Sequence, residues 1–228
     1  MTINEAFQIS DILRQASPSS QAEIASFAFI RRYERGQHVF FDQEEVNCFY
    51  ILLEGIASLY KTNSLGEKKV IFIYGPGSLL NEVTMQELPA SINCEIREEA
   101  LVLVLPKVRF WYVLERDGAL TRAVMESMSL KIRRLYRQLK NTTNALSGEK
   151  RLAAKLYKLA KDHGSAAGDE IEISMNLSIT YLAEMVGSKR ETVSRQMKRL
   201  TEMGLIRMEK NRVFVPDLKK LSKYFREP

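Results

Sequence analysis

The 228-residue chain is poor in metal-ligating and redox side chains: it has two cysteines, Cys48 and Cys94, and two histidines, His38 and His163. Neither cysteine has a CxxC neighbour, and two thiolates cannot hold a four-thiolate iron–sulfur cluster. Both lie in apolar, strand-like surroundings, where a free cysteine acts as a small core side chain. The histidines are far apart in sequence and suggest no metal site; each reads as a surface or loop residue. No basic-then-apolar segment opens the chain, and no apolar run approaches membrane-spanning length. A reducing cytoplasm and no membrane contact are therefore expected. Also missing is a nucleophile–base pair or a phosphate loop at a usable spacing. Neither an enzyme nor a bound cofactor is expected.

What the chain has is positive charge in one place. Residues 1–146 hold 17 Lys/Arg and 17 Asp/Glu, and residues 147–228 hold 17 and 11. The whole formal excess of +6 thus falls on the C-terminal third. Solubility alone would not require that segregation, whereas binding a phosphate backbone would.

The same third contains two short helical patterns joined at a glycine. Ser178 suits the N-cap of the first, and Leu182, Met185 and Val186 form its inward face. Gly187 suits a left-handed helix exit. Ser188 is then expected to cap the second helix, with Val193, Met197 and Leu200 inward. Its other face carries Lys189, Arg190, Glu191, Thr192, Ser194, Arg195, Lys198 and Arg199. This is a helix-turn-helix pattern, and double-stranded DNA is the expected partner. Arginine pairs with guanine O6 and N7, and glutamate accepts from cytosine N4. Arg190, Glu191, Ser194 and Arg195 are therefore the expected base readers. Ser178, Thr180, Lys189 and Thr192 are the expected phosphate contacts, which position the helix without reading sequence. Gly204 ends the helix. Residues 205–208 and 213–215 read as strands around a turn at 209–212, which makes the unit a winged helix.

Upstream, residues 5–30 read as helical with a break at 17–20. From about 33 to 105 short strands alternate with turns at Glu54-Gly55, 64–66 and 75–77, the pattern of a small antiparallel barrel or double-sheet roll. A long helix is expected from Gly118 to Ala145. Met125, Ile132, Leu139 and Leu146 repeat every seven residues, and Met128, Leu135 and Thr142 form the offset series. That a/d seam, with Met125, Met128, Ile132, Leu135 and Leu139 at its centre, predicts a parallel homodimer. A polar hinge at 141–148 and a second amphipathic helix at 149–162 follow. The expected fold is α+β: an effector-sensing antiparallel double-sheet β-roll (1–117), a dimerisation helix (118–146) and a C-terminal winged helix-turn-helix (147–228).

Roll, heptad helix, hinge and winged helix in this order resemble the CRP/FNR superfamily of bacterial transcription regulators, over nearly the whole chain. Residues 187–195 carry the strongest similarity. Arg190 resembles the cyclic-AMP receptor type, and Glu191, Ser194 and Arg195 resemble the Glu-x-x-Ser-Arg pattern of the fumarate-nitrate type. The resemblance implies a palindromic site with a TGA half-site core, and RNA polymerase as a partner. Residues 77–83 resemble the family's effector cassette, with Asn81-Glu82 where Gly-Glu is usual. Cyclic-nucleotide binders follow it with Arg-Ser or Arg-Thr, and here the matching pair is Ala90-Ser91. The clamp for the cyclic phosphate is missing, so the small-molecule effector is expected to differ from cyclic AMP. Asn81, Glu82, Ala90 and Ser91 are the expected pocket, with Tyr136 on the long helix facing it, unless that tyrosine is a packing residue. The alternative to a DNA-binding regulator is a ligand-binding module of a signalling assembly, which the charge segregation disfavours.

Overall fold

The computed structural model describes residues 1–143 and 147–226, and of residues 139–143 only the backbone. The expected hinge at 141–148, Leu146, and the Thr142 and Leu139 side chains fall wholly or partly outside the described residues. The chain forms two compact units. One comprises Met1–Lys61 and Phe72–Thr143, the other Thr62–Ile71 and Asn144–Pro228.

The first unit opens with helix α1 (Ile3–Ile9). Its capping box is reciprocal: Thr2 Oγ1 accepts from the Glu5 N–H, and Glu5 accepts from the Thr2 N–H. Residues 17–20, read above as a helix break, start a helix instead. Ser17 is the N-cap and Pro18 the first residue of α2 (Pro18–Ala25), a position where proline's missing N–H has no cost. The helical reading to residue 30 also ran too far, because Phe29–Tyr33 is strand β1.

Strands β2 (His38–Phe40), β3 (Cys48–Thr62), β4 (Lys68–Tyr74) and β5 (Asn93–Pro106) follow. The sheet order is β1-β5-β3-β4, and β2 also pairs with β5. Glu54-Gly55 is a bulge inside the single long strand β3, not a turn between two strands. Gly55 has φ +84°, and a Cβ there would lie 2.2 Å from the Glu99 carbonyl oxygen. The irregularity reverses the strand's alternation. Before it, Phe49, Ile51 and Leu53 face the helical layer and Leu52 faces the roll interior; after it, Ala57 and Leu59 face the interior. A one-residue offset exchanges the faces of a strand. The bulge thus lets one chain segment serve two hydrophobic clusters.

Helix α3 (Lys107–Arg116) and the long helix α4 (Gly118–Thr143) close the unit. Between them the buried Asp117 accepts from the N–H groups of Ser17, Ala119 and Leu120 at 2.8–3.1 Å. Burial pushes its carboxyl up, but those hydrogen bonds outweigh burial and hold it well below the usual carboxylate range. One side chain therefore joins the start of α2 to the start of α4.

The second unit contains α5 (Gly148–His163), β6 (Gly164–Ala167), β7 (Glu170–Ile173), α6 (Ile179–Val186), α7 (Arg190–Glu202), β8 (Arg207–Glu209), β9 (Arg212–Val215) and α8 (Leu218–Arg226). The expected wing, β8 and β9, is part of a four-stranded sheet of order β6-β7-β9-β8. Arg207 ties it together, pairing with Glu170 across the sheet and lying 4.0 Å over the Phe214 ring. Among the described residues, no helix is long and apolar enough to cross a membrane.

Candidate functional site

The helix pair α6–α7 is built by local rules. Ser178 Oγ accepts from the Tyr181 N–H at 3.1 Å and caps α6. Gly187 takes φ +64°, and its N–H bonds back to the Ala183 carbonyl. The expected cap of the second helix needs correction. Lys189, not Ser188, is the N-cap of α7, and it makes no side-chain cap bond. The first N–H groups of α7 are therefore not capped by their own N-cap side chain, and a cation stands beside them.

Val193, Met197 and Leu200 anchor α7 in the core at 0–3% exposure, each worth roughly 1.5–3 kcal/mol of burial. At about 100° per residue, Glu191 and Arg195 fall opposite that anchor. Arg190, Glu191, Ser194 and Arg195 are all exposed, as are Lys189 and Thr180. Ser178 and Thr192 are half-buried. Thr192 shares a cavity of about 430 Å³ with Glu149, Arg195, Gln196 and Arg199. Glu149, in the first turn of α5, pairs with Arg199 at 3.4 Å and accepts from the Tyr224 hydroxyl of α8. Sequence reasoning missed Glu149. Its signal was an acid at a helix start, 50 residues from its partner.

The effector cassette is arranged differently from the expectation. Every polar atom of the Asn81 carboxamide is used: it accepts from the Tyr50 N–H at 3.0 Å and donates to the Cys48 carbonyl at 2.9 Å and to Thr84 Oγ1 at 3.0 Å. Asn81 thus fastens the 3-10 turn Glu82–Met85 to β3. Ala90 is fully buried in the interior cluster, and its backbone pairs with Gln43 and Glu44. Ser91 is exposed. Tyr136 is 67% exposed and is not packed as a core tyrosine.

Glu82 is 1% exposed and carries the polar chemistry of this region. It accepts from Ser127 Oγ at 2.8 Å and forms an ion pair with Lys131 of α4. The Lys131 ammonium also donates to the Leu79 carbonyl at 2.8 Å and lies 4.6 Å over the Tyr74 ring. Burial pulls this lysine below its ordinary value, and the Glu82 carboxylate opposes the shift. Lys131 of the long helix thus fills the cassette with the protein's own cation. Among the described residues, no group of three or more His, Cys, Asp or Glu is placed to hold a metal.

The seam residues also divide. Met125, Ile132 and Leu135 are exposed at 63%, 46% and 38%. Met128 packs against its own unit's helical core, because α4 leans that face onto the roll. Tyr136 lies on the exposed side with Met125 and Ile132, at helical spacing.

Breaking a buried pair leaves an uncompensated charge. Glu82→Gln should therefore lower unfolding free energy by about 3–5 kcal/mol. Adding Lys131→Met should recover most of that loss, since an apolar side chain of similar length needs no partner. Urea unfolding of the single and double variants measures both. Equal losses in the two would show that the unpaired Lys131 charge is not the source of the loss.

The comparisons with known proteins agree with this geometry. The cyclic nucleotide-binding domain family matches residues 30–117, and the Crp-like helix-turn-helix domain family matches residues 150–224. A CRP-like cAMP-activated global transcriptional regulator of Mycobacterium tuberculosis is 24% identical, over 97% of this chain and 99% of its own. The anaerobic regulatory protein of Bacillus subtilis is 25% identical over 82% and 79%. The c-di-GMP responsive global regulator CLP of Xanthomonas campestris has the same fold, with a TM-score of 0.76 at 17% identity over 88% of this chain and 100% of that one. With a sensing domain of the cyclic-nucleotide type and a Crp-like helix-turn-helix on one chain, the protein is a DNA-binding transcription regulator and belongs to the CRP/FNR superfamily.

Proposed function

We propose that the protein is a homodimeric regulator that reads a palindrome with a TGA half-site core and responds to an effector other than cyclic AMP. One observation carries the reading of DNA: Glu191 and Arg195 stand side by side on the exposed face of α7, opposite its buried anchor. A glutamate and an arginine one turn apart match the donor and acceptor pattern of adjacent G·C-containing pairs. The segregated positive charge supplies the sequence-independent attraction to phosphates. Lys189 and Thr180 are the exposed phosphate contacts of this reading, with Ser178 and Thr192 at its edges. RNA polymerase enters as a partner through family membership.

The homodimer rests on the apolar stripe of α4. Met125, Ile132, Leu135 and Tyr136 form an exposed strip on a 26-residue helix, more than a lone water-facing helix needs. A parallel pair would place two copies of α7 to read half-sites about one DNA turn apart. Its rotation on effector binding would be the switch, driven by different effector affinities for the two arrangements.

The choice against cyclic AMP rests on Ala90 and on Lys131. The buried alanine offers no cation to a cyclic phosphate, and Glu82 already has a partner.

Three measurements test these points. In a mobility-shift assay, Arg195→Ala should weaken binding to a TGA palindrome by about 1–3 kcal/mol per half-site, and Glu191→Ala should relax preference at one base pair. Uniform weakening on specific and random DNA would remove direct readout. The pair Met125→Asp and Ile132→Asp should sediment as a monomer and lose the palindrome; a stable dimer would refute the stripe. Millimolar cyclic AMP should leave both the melting temperature and DNA affinity unchanged. A ligand at a hundred times its dissociation constant would stabilise by about 2.7 kcal/mol, so a clear thermal shift would overturn the choice.

A further inference from the structure

The groups around the Lys131 ammonium come from two sources. The roll supplies the acceptors: the Glu82 carboxylate, the Leu79 carbonyl at 2.8 Å and the Tyr74 ring at 4.6 Å. Helix α4 supplies the cation and, through Ser127 Oγ, one donor to Glu82 at 2.8 Å. The acceptor side is held without help from α4. Asn81 ties the turn that carries Glu82 to Tyr50 and Cys48 of β3, Leu79 bridges to Ile51 of the same strand, and Tyr74 ends β4. A carboxylate, a carbonyl and an aromatic face converging on one point are the chemistry of an ammonium receptor.

The occupant stands at a particular place on its helix. Leu120, Val124, Ser127 and Lys131 follow one line along α4 at helical spacing. Leu120 and Val124 are buried at 0% and 2%, whereas residues 132–137 are all exposed. The polar contact therefore ends the line, where α4 leaves its own roll. Anchoring alone does not call for a charge there. An apolar side chain would close the line without taking two ions out of water, yet the Glu82 side chain is 1% exposed and that of Lys131 15%.

We propose that the cassette is a binding site for a primary ammonium group, with Lys131 as its tethered ligand. The proposal rests on the reading of an effector-switched homodimer and names the effector's chemistry: an alkylammonium arm, supplied by the chain itself. Because it is tethered, Lys131 meets Glu82 at an effective concentration that a free amine in solution rarely matches. Its occupancy holds α4 at one rotation, with Met125 and Ile132 outward. Withdrawal of Lys131 from the cassette is the switching event.

Chemical rescue tests this without DNA. In the full-length protein, Lys131→Ala removes three methylene groups and the ammonium, which n-propylammonium matches. The variant should melt at least about 5 °C below wild type, and its dimer should be weaker by at least about tenfold. n-Propylammonium chloride should restore both saturably, half-maximal between about 1 and 50 mM. Sodium chloride at the same ionic strength and 1-propanol should restore neither, and wild type should respond to none of the three. Lys131→Met fills the space without a charge and should show no response to the amine. A further measurement needs no variant to fold. Acetylation of the wild-type protein by an N-hydroxysuccinimide ester, read by peptide mass spectrometry, should modify Lys131 at least about tenfold more slowly than the exposed Lys219. The proposal is overturned if the two lysines react alike, if 1-propanol rescues as well as the amine, or if amine up to about 100 mM restores neither stability nor dimer. A wild-type protein that sediments as a monomer removes the homodimer reading alone, since recovery of the melting temperature by the amine still decides the ammonium site.

Discussion

An ammonium removed from water must find a counter-charge or lose its proton, and the first unit is arranged around that requirement. Lys131 is carried inward by α4, a helix whose neighbouring residues face solvent. It survives there because Glu82, the Leu79 carbonyl and the Tyr74 ring converge on it. Glu82 in turn is positioned by the 3-10 turn that Asn81 secures to β3. The long helix is thereby keyed to the roll at one rotation about its axis. That rotation decides which residues face outward, and so Met125, Ile132 and Tyr136 are exposed while Met128 packs inward. A change in the polar contact would alter the apolar face without touching it.

The sequence was informative where structure follows from local chemistry. Ser178, Gly187 and the spacing of Val193, Met197 and Leu200 define the helix pair through neighbours within one or two turns, and the exposed face of α7 follows by subtraction. The bounds of α5 and the start of α4 were legible for the same reason. It was uninformative where partners are distant. Glu54-Gly55 carries the residue types of a turn, and only the opposing Glu99 carbonyl makes it a bulge. Strand β6 is made of glycine, serine and alanine, which carry little strand preference, and it forms because β7 supplies a partner. Lys131 falls among charged neighbours, and nothing local separates it from Arg133 or Arg134. The heptad reading failed at Met128 for a related reason, since a seven-residue repeat marks an apolar stripe without saying what covers it.

The same limit explains the cassette. Residue type showed that Ala90 cannot clamp an anion, and its complete burial agrees with a packing role. What residue type could not show is that the site's carboxylate is already paired from within. In a cyclic-nucleotide-type domain, the absence of an arginine reads as a vacancy to be filled by a different ligand. Here a lysine from the long helix occupies that electrostatic role, 49 residues from Glu82 along the chain.

Helix α7 divides its residues by face. Val193, Met197 and Leu200 carry the folding of α7, while Glu191, Ser194 and Arg195 project from the opposite side and contribute little to the core. Substitutions at the projecting positions are therefore nearly free of stability cost. A duplicated copy of this protein could drift to a new operator through two or three such changes, retaining the sensor and the scaffold throughout. The constraint on its divergence would come from the DNA it must find in the genome, not from the need to stay folded.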